Sequence, residues 1–317
     1  MVKYIIKRIL WSVPVMLCVV IIVFSINFII PGNPALPMRR VVELGLNKPY
    51  IVQLGNYIWR IITRLDLGKS YLSNMNITAE LALKLPVTCL LSLYSIGLML
   101  VIGLPAGILS AIKQYSALDA SFTALALILA SIPGFVMALL SALFFGVMLR
   151  WLPVTGLETG SSWILPVFCT AMVGVAEFMR MTRTTMLEVI RQDYIRTAKS
   201  KGMKNLDIIR KHALKNCLIP LTTVAGRFVA TMFSGSLIVE IIFNLPGMGS
   251  YVLSALNSRD YAVINGSVVV ISLYICIINI VVDILYVFID PRIKDSFVSA
   301  KRTQAAMQET PLTTLIS

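Results

Sequence analysis

Histidine occurs once in this chain of 317 residues, at His212, and no two cysteines stand in a Cys-x-x-Cys spacing. A zinc centre or a histidine-based catalytic group would therefore lack its usual partners. The phosphate-binding glycine loop, the Gly-x-Ser-x-Gly elbow and the His-Glu-x-x-His helix are missing as well. No catalytic residue, metal or resident cofactor is expected, and any nucleotide energy must be released by another chain. Charge is also scarce: 14% of residues are charged, against about 25% in a soluble domain. The five cysteines (Cys18, Cys89, Cys169, Cys217 and Cys276) sit in or beside apolar runs and read as small core or lipid-facing residues.

What is present is apolar. Hydrophobic residues make up 57% of the chain and the mean hydropathy is +0.84, which places it among integral membrane proteins in contact with a lipid bilayer. The formal net charge of +13 follows the tendency of cytoplasmic loops to collect Lys and Arg, so it does not call for nucleic acid as a partner. Six spans are expected: residues 9–30, 86–112, 120–149, 164–178, 218–243 and 262–289. The first follows Lys3, Lys7 and Arg8 and is longer than a signal-peptide core of 7–15 residues, so an uncleaved span is expected. Pro133-Gly134 should kink the third. Gly97, Gly103, Pro105 and Gly107 allow close packing or a kink in the second.

The resulting division is a cytoplasmic N-terminus with the first span over 1–30, an extracytoplasmic loop or lobe over 31–85, a five-helix core over 86–294 and a cytoplasmic tail over 295–317. Within the lobe, Ile51, Leu54, Ile58, Ile61, Ile62 and Leu65 recur at helical spacing, the pattern of an amphipathic helix. Both termini are cytoplasmic in this scheme.

One long basic segment interrupts the core, residues 180–217. Helix formers fill both halves and Gly202 divides them, which predicts helices over 180–201 and 205–216 joined by a sharp bend. Between two spans, such a hairpin is a lever. Few ionisable residues lie in the spans: Glu177, Arg227, Glu240 and Asp283, with Asn265 and Asn279 as polar neighbours. Each charge costs about 2.5–3.5 kcal/mol at a helix centre on insertion scales. Arg227, Glu240, Asn279 and Asp283 are candidates for a polar translocation path, with structural ion pairing the alternative.

The hairpin resembles the cytoplasmic motif of the inner-membrane permeases of type I ABC importers. More narrowly it is similar to the dipeptide, oligopeptide and nickel permease family, first ("B-type") subunit. The matching residues are Asp193, Tyr194, Arg196, Thr197, Ala198, Lys199, Lys201 and Gly202, then His212, Ala213, Leu214 and Asn216. The general importer motif has Glu-Ala-Ala, three residues, Gly, nine residues, then Ile-x-Leu-Pro. Ala198, Gly202 and Leu214 match it, whereas Arg196, Thr197, His212 and Lys215 depart in the manner of the peptide and nickel branch. The outer turn Glu240 to Phe243 with Pro246, Gly247, Met248 and Gly249, the following Arg259-Asp260-Tyr261, and Asp290-Pro291-Arg292 are also similar. Gly45 to Pro49, Gln53 and Asp66 to Ser70 resemble the first outer loop, although residues 34–45 are shorter than the family's usual insert.

The resemblance implies an all-α membrane protein with the six-helix type I importer permease (MetI-like) fold. It implies a heterodimer with a homologous second permease subunit, two ATP-binding subunits that hold ATP and Mg, and an extracytoplasmic solute-binding protein. The cargo stays open between di- or oligopeptides and nickel or metal chelates. A stand-alone secondary transporter would need coupling-ion residues in its spans and, commonly, internal repeats, and neither is evident. A membrane-anchored scaffold would leave the ordered motifs from Glu240 to Arg292 without a role.

Overall fold

The computed structural model describes residues 2–29, 41–42, 45–157 and 159–289. The start of the outer lobe over 31–40, the Asp290-Pro291-Arg292 segment and the tail over 295–317 lie outside the described residues. So do the side chains of Arg227 and Asp283.

Helices account for nearly every described segment. They are α1 (Val2–Ile29), α2 (Tyr50–Arg64), α3 (Ile77–Ile112), α4 (Ala117–Ser131), α5 (Gly134–Ser141), α6 (Ile164–Ile190), α7 (Asp193–Ser200), α8 (Leu214–Ile242), α9 (Met248–Ser258) and α10 (Tyr261–Ile289). A π-helical turn, Ala142–Met148, extends α5, and a second, Ile208–Ala213, leads into α8. α1, α3, α6 and α10 are each long and apolar enough to cross a bilayer, and α4 and α5, bent by 98° at their break, together reach the length and hydropathy of a fifth. The 29-residue α8 supplies the sixth apolar run. Pro133 produces the break: Ile132 before it is extended at ψ 120, because a proline ring disfavours helical geometry in the preceding residue.

Three expected boundaries move. α3 starts at Ile77, ahead of the expected Pro86, because Asn76 caps it: its side-chain oxygen accepts the N–H groups of Thr78 (2.9 Å) and Ala79 (3.4 Å). Ile77 and Leu81 are thereby buried, and Pro86 falls inside the helix. The first arm of the hairpin is not one helix over 180–201. α6 carries the fourth span through to Ile190 and stops, and Gln192, extended at ψ 150, separates it from the short α7. The second arm does not end at Asn216 but runs through the π turn into α8.

The most extensive helix pairing joins α3 to α6. A Cβ at Gly107 would lie 2.5 Å from Thr182 Cβ and 2.6 Å from the Met179 carbonyl oxygen. One turn earlier, a Cβ at Gly103 would lie 3.3 Å from both Phe178 and the Val175 oxygen. Small residues four apart let two backbones meet where lipid offers no hydrophobic drive for association. Around this seam lie two main cores. Met99, Met186, Ile195, Ile208, Ala213 and Cys217 gather at the hairpin end. Leu91, Met137, Leu165, Val239, Phe243 and Leu245 gather at the opposite end.

A third cluster ties α1 and the amphipathic α2 to α9 and α10. Tyr57 on α2 faces that cluster, while Ile51, Trp59, Ile62 and Leu65 are exposed. One side of the broad apolar face of α2 is therefore packed and the other exposed.

Gly107→Val is expected to overpack the seam and destabilise the protein by about 1–3 kcal/mol. Gly97→Val, where a Cβ meets nothing within 4 Å, is expected to leave it unchanged. Thermal unfolding of both variants in detergent checks the pair.

Candidate functional site: the hairpin and its anchors

α7 is held as a platform. Its Ile195 and Ala198 lie on one face and are buried among Met186, Ile208, Ala213 and Cys217. Arg196, Thr197, Lys199 and Lys201 are exposed on the other side. Tyr194 is 42% exposed, and its hydroxyl accepts a hydrogen bond from Asn216 Nδ2 at 3.1 Å. The same Nδ2 donates to the His212 carbonyl at 2.9 Å, which links α7 to the start of α8. His212 and Leu214 are half-buried beside this contact, and Ala213 is fully buried. Asp193 and Arg196 approach to 3.8 Å while almost entirely in solvent, a pairing worth only a few tenths of a kcal/mol.

Gly202 closes α7 at φ +77, and nothing stands within 4 Å of its would-be Cβ. The requirement for glycine there is conformational, since left-handed backbone is costly for a side chain with a Cβ. The Met203 N–H reaches back to the Ala198 carbonyl at 3.3 Å and seals the turn.

The root of the hairpin carries an anchor that sequence reasoning missed. Arg183 on α6 donates Nε to Asp119 Oδ1 (2.7 Å) and its second guanidinium nitrogen to Oδ2 (2.9 Å). Asp119, at the start of α4, is buried, and it also accepts the Ser110 hydroxyl and the Tyr115 N–H (3.0 Å). The paired donors satisfy the buried carboxylate and bind α3, α4 and α6 at one point. In the sequence Asp119 only brackets a turn, and Arg183 is one basic residue among many. A 64-residue separation gave no local signal for their pairing.

At the opposite end, Glu240 is wholly buried and anchors the outer turn. Its Oε2 accepts the Gly249 N–H at 2.7 Å, and the buried Thr88 hydroxyl accepts the Met248 N–H at 2.9 Å. A Cβ at Gly247 would strike the carboxylate, and one at Gly249 would lie 2.5 Å from the Leu237 oxygen. Pro246 is exposed at this turn. Arg259 closes α9 at φ +56, and Asp260 accepts the Ser70 hydroxyl (2.6 Å) and the Tyr71 N–H (3.2 Å). Asp260 thus pins the lobe to the start of α10. Of the candidate path residues, Asn279 is exposed on α10, whereas the side chains of Arg227 and Asp283 lie outside the described residues. Asn265 accepts a hydrogen bond from Asn27 at 2.7 Å, joining α10 to α1.

A bundle with at least four helices long and apolar enough to cross a bilayer, an exposed basic helix at one end and a glycine turn at the other, is the architecture of an integral membrane protein. Residues 103–295 match the family of binding-protein-dependent transport system inner membrane components, and the chain belongs to that family. It is 38% identical to the dipeptide transport system permease protein DppB of Alkalihalophilus pseudofirmus, over 93% of this chain and all of that one. It is 36% identical to a putative peptide transport system permease protein of Brucella abortus, over 93% of this chain and 99% of the relative. Identity to the oligopeptide permease AppB of Bacillus subtilis is 35%, again over 93% of this chain. Among solved structures, the inward-facing MetNI methionine ABC transporter aligns with TM-score 0.59 at 20% identity, covering 67% of this chain and 97% of that one. The expected all-α importer permease fold is thus shown. The chain is a multi-pass membrane protein and an ABC importer permease.

Asp119→Asn is expected to cost about 3–5 kcal/mol, the penalty for breaking one side of a buried pair. Thr184→Ala, on the exposed side of α6, is expected to be near neutral. Melting temperatures of the detergent-purified variants decide it.

Proposed function

We propose that this chain is one of two homologous permease subunits of an importer in the cytoplasmic (inner) membrane of a bacterium or archaeon. Two ATP-binding subunits, which carry ATP and Mg, grip α7 from the cytoplasm, and an extracytoplasmic solute-binding protein delivers cargo to the opposite face. Neither nucleotide chemistry nor bond-making chemistry belongs to this chain. The observation that carries the reading is the two-sided α7: its apolar face is seated in the hairpin core, and Arg196, Thr197, Lys199 and Lys201 are turned outward to a partner.

Seated in this way, α7 cannot move far without taking the ends of α6 and α8 with it. Closure of the ATPase pair would displace α7, and the packed helices would respond as rigid bodies, alternating between two arrangements of the pathway. Asp193, Tyr194, His212, Ala213, Leu214 and Asn216 shape the platform, and Gly202 sets the angle at which it is presented. Arg227, Glu240, Asn279 and Asp283 remain our candidates for the polar lining of the path. The burial of Glu240 behind the outer turn favours a role in holding that turn. Di- or oligopeptides are the cargo we assign, supported by the peptide-transport names of the relatives. Nickel or a metal chelate is the competing cargo.

Purification of the tagged chain from its native membrane is expected to recover a second permease and ATPase subunits. A lone chain that persists under gentle extraction would instead favour a secondary transporter. Gly202→Val is expected to abolish uptake with normal membrane insertion, and normal uptake by that variant would refute the lever. Glu240→Gln and Asp283→Asn test the path: wild-type transport in both would assign these residues a structural role.

A further inference from the structure

On the face opposite the hairpin, α2, the turn at Gly45 to Lys48, the segment at Leu67 to Tyr71 and the first turn of α10 enclose a recess of about 260 Å³. Three cations, Lys48, Arg60 and Lys69, stand around it, and none of its described lining residues is acidic. Among the described residues, the two acids nearest in sequence both accept hydrogen bonds from neighbouring segments. Asp66 accepts the Gly68 N–H at 2.9 Å, and Asp260 is taken by Ser70 and Tyr71. The recess is also built. Gln53 donates to the carbonyls of Leu46 and Lys48 (2.9 and 2.8 Å), holding the Lys48 turn against α2. Lys69 is fixed by its backbone bridge to Asn76.

Tyr57 lines this recess one helical turn before Arg60. It is only 7% exposed, its ring stacks on Phe24 at 5.6 Å, and its hydroxyl has no hydrogen-bond partner. A buried hydroxyl left without a partner is unfavourable and is uncommon unless something completes it. Three cations around a protein-walled hollow, with no acid among its described lining residues, concentrate positive potential, and an arginine fork suits a carboxylate. The volume falls below the roughly 300–1,000 Å³ of sites that enclose whole small molecules. It suits a single side chain better than a complete peptide.

We propose that this recess receives an acidic side chain of the solute-binding protein as that protein docks on the outer face. The inference rests on the importer reading given under Proposed function. The carboxylate enters between Arg60, Lys48 and Lys69, and the Tyr57 hydroxyl donates to it. Docking would thereby be fastened to the same lobe that Asp260 ties to α10.

The test uses the complete transporter in lipid nanodiscs and the solute-binding protein that accompanies it, with affinity measured at low and high salt. Lys48→Gln, Arg60→Gln and Lys69→Gln together are expected to weaken docking by at least about tenfold and to flatten its salt dependence. Tyr57→Phe is expected to weaken docking by a few-fold without lowering the melting temperature. Arg150→Gln, which removes an exposed charge on the same face outside the recess, is expected to change nothing. Equal affinity of the triple variant and the wild type would overturn the proposal, as would an equal loss with Arg150→Gln. Phospholipid retained by the wild type but not by the triple variant, with docking unchanged, would assign the recess to a lipid phosphate and also overturn it. A wild-type complex that transports with its ATPases yet binds no such protein would remove the delivery step of the importer reading, and this proposal with it.

Discussion

The contact on which the rest depends is the glycine seam between α3 and α6. Association of helices in lipid depends on close van der Waals approach, because apolar side chains gain little by leaving the hydrocarbon. Gly103 and Gly107 allow the two backbones to meet, with Thr182 and Met179 filling the space that a side chain would take. Near one end of that seam, Asp119 and Arg183 add a buried ion pair that also captures α4. The fourth span therefore emerges from the bundle in a fixed direction, and the hairpin that follows it begins from a rigid root.

That rigidity gives the basic helix its mechanical meaning. A charged surface segment on a flexible loop could be gripped without consequence for the spans. Here Ile195 and Ala198 are sunk into the same core that receives Met186 from α6 and Cys217 from α8. Displacement of α7 is then transmitted to two spans. The opposite end is built by different means: Glu240 and Thr88 hold the glycine turn, and Asp260 fastens the lobe to α10. The two ends of the bundle are thus separately stiffened.

Much of this was legible before any coordinates. The amphipathic spacing expected over Ile51 to Leu65 is met by α2 at Tyr50–Arg64, and Pro133 breaks the third span where expected. Gly202 takes the positive φ that its place between two helix-forming stretches implied. Less legible were the helix ends. Composition alone could not separate α6 from α7, since Arg191 and Gln192 are acceptable helix formers, yet Gln192 is extended and divides the two. Nor did Pro86 mark a beginning, because the Asn76 cap acts ten residues upstream of it.

Apolar run length, glycine placement and the distribution of Lys and Arg determined the class and the position of the hairpin. These are properties of short stretches that lipid and water read locally. Which distant polar groups would meet was decided only by tertiary structure. Asp119 finds Arg183, Asp260 finds Ser70, and Glu240 closes on Gly249. Tyr57 is left beside three cations with its hydroxyl unpaired. Each result depends on how helices far apart in sequence lie against one another. A buried charge is tolerable only where that packing brings it a partner, and one-dimensional pattern carries no record of the distance.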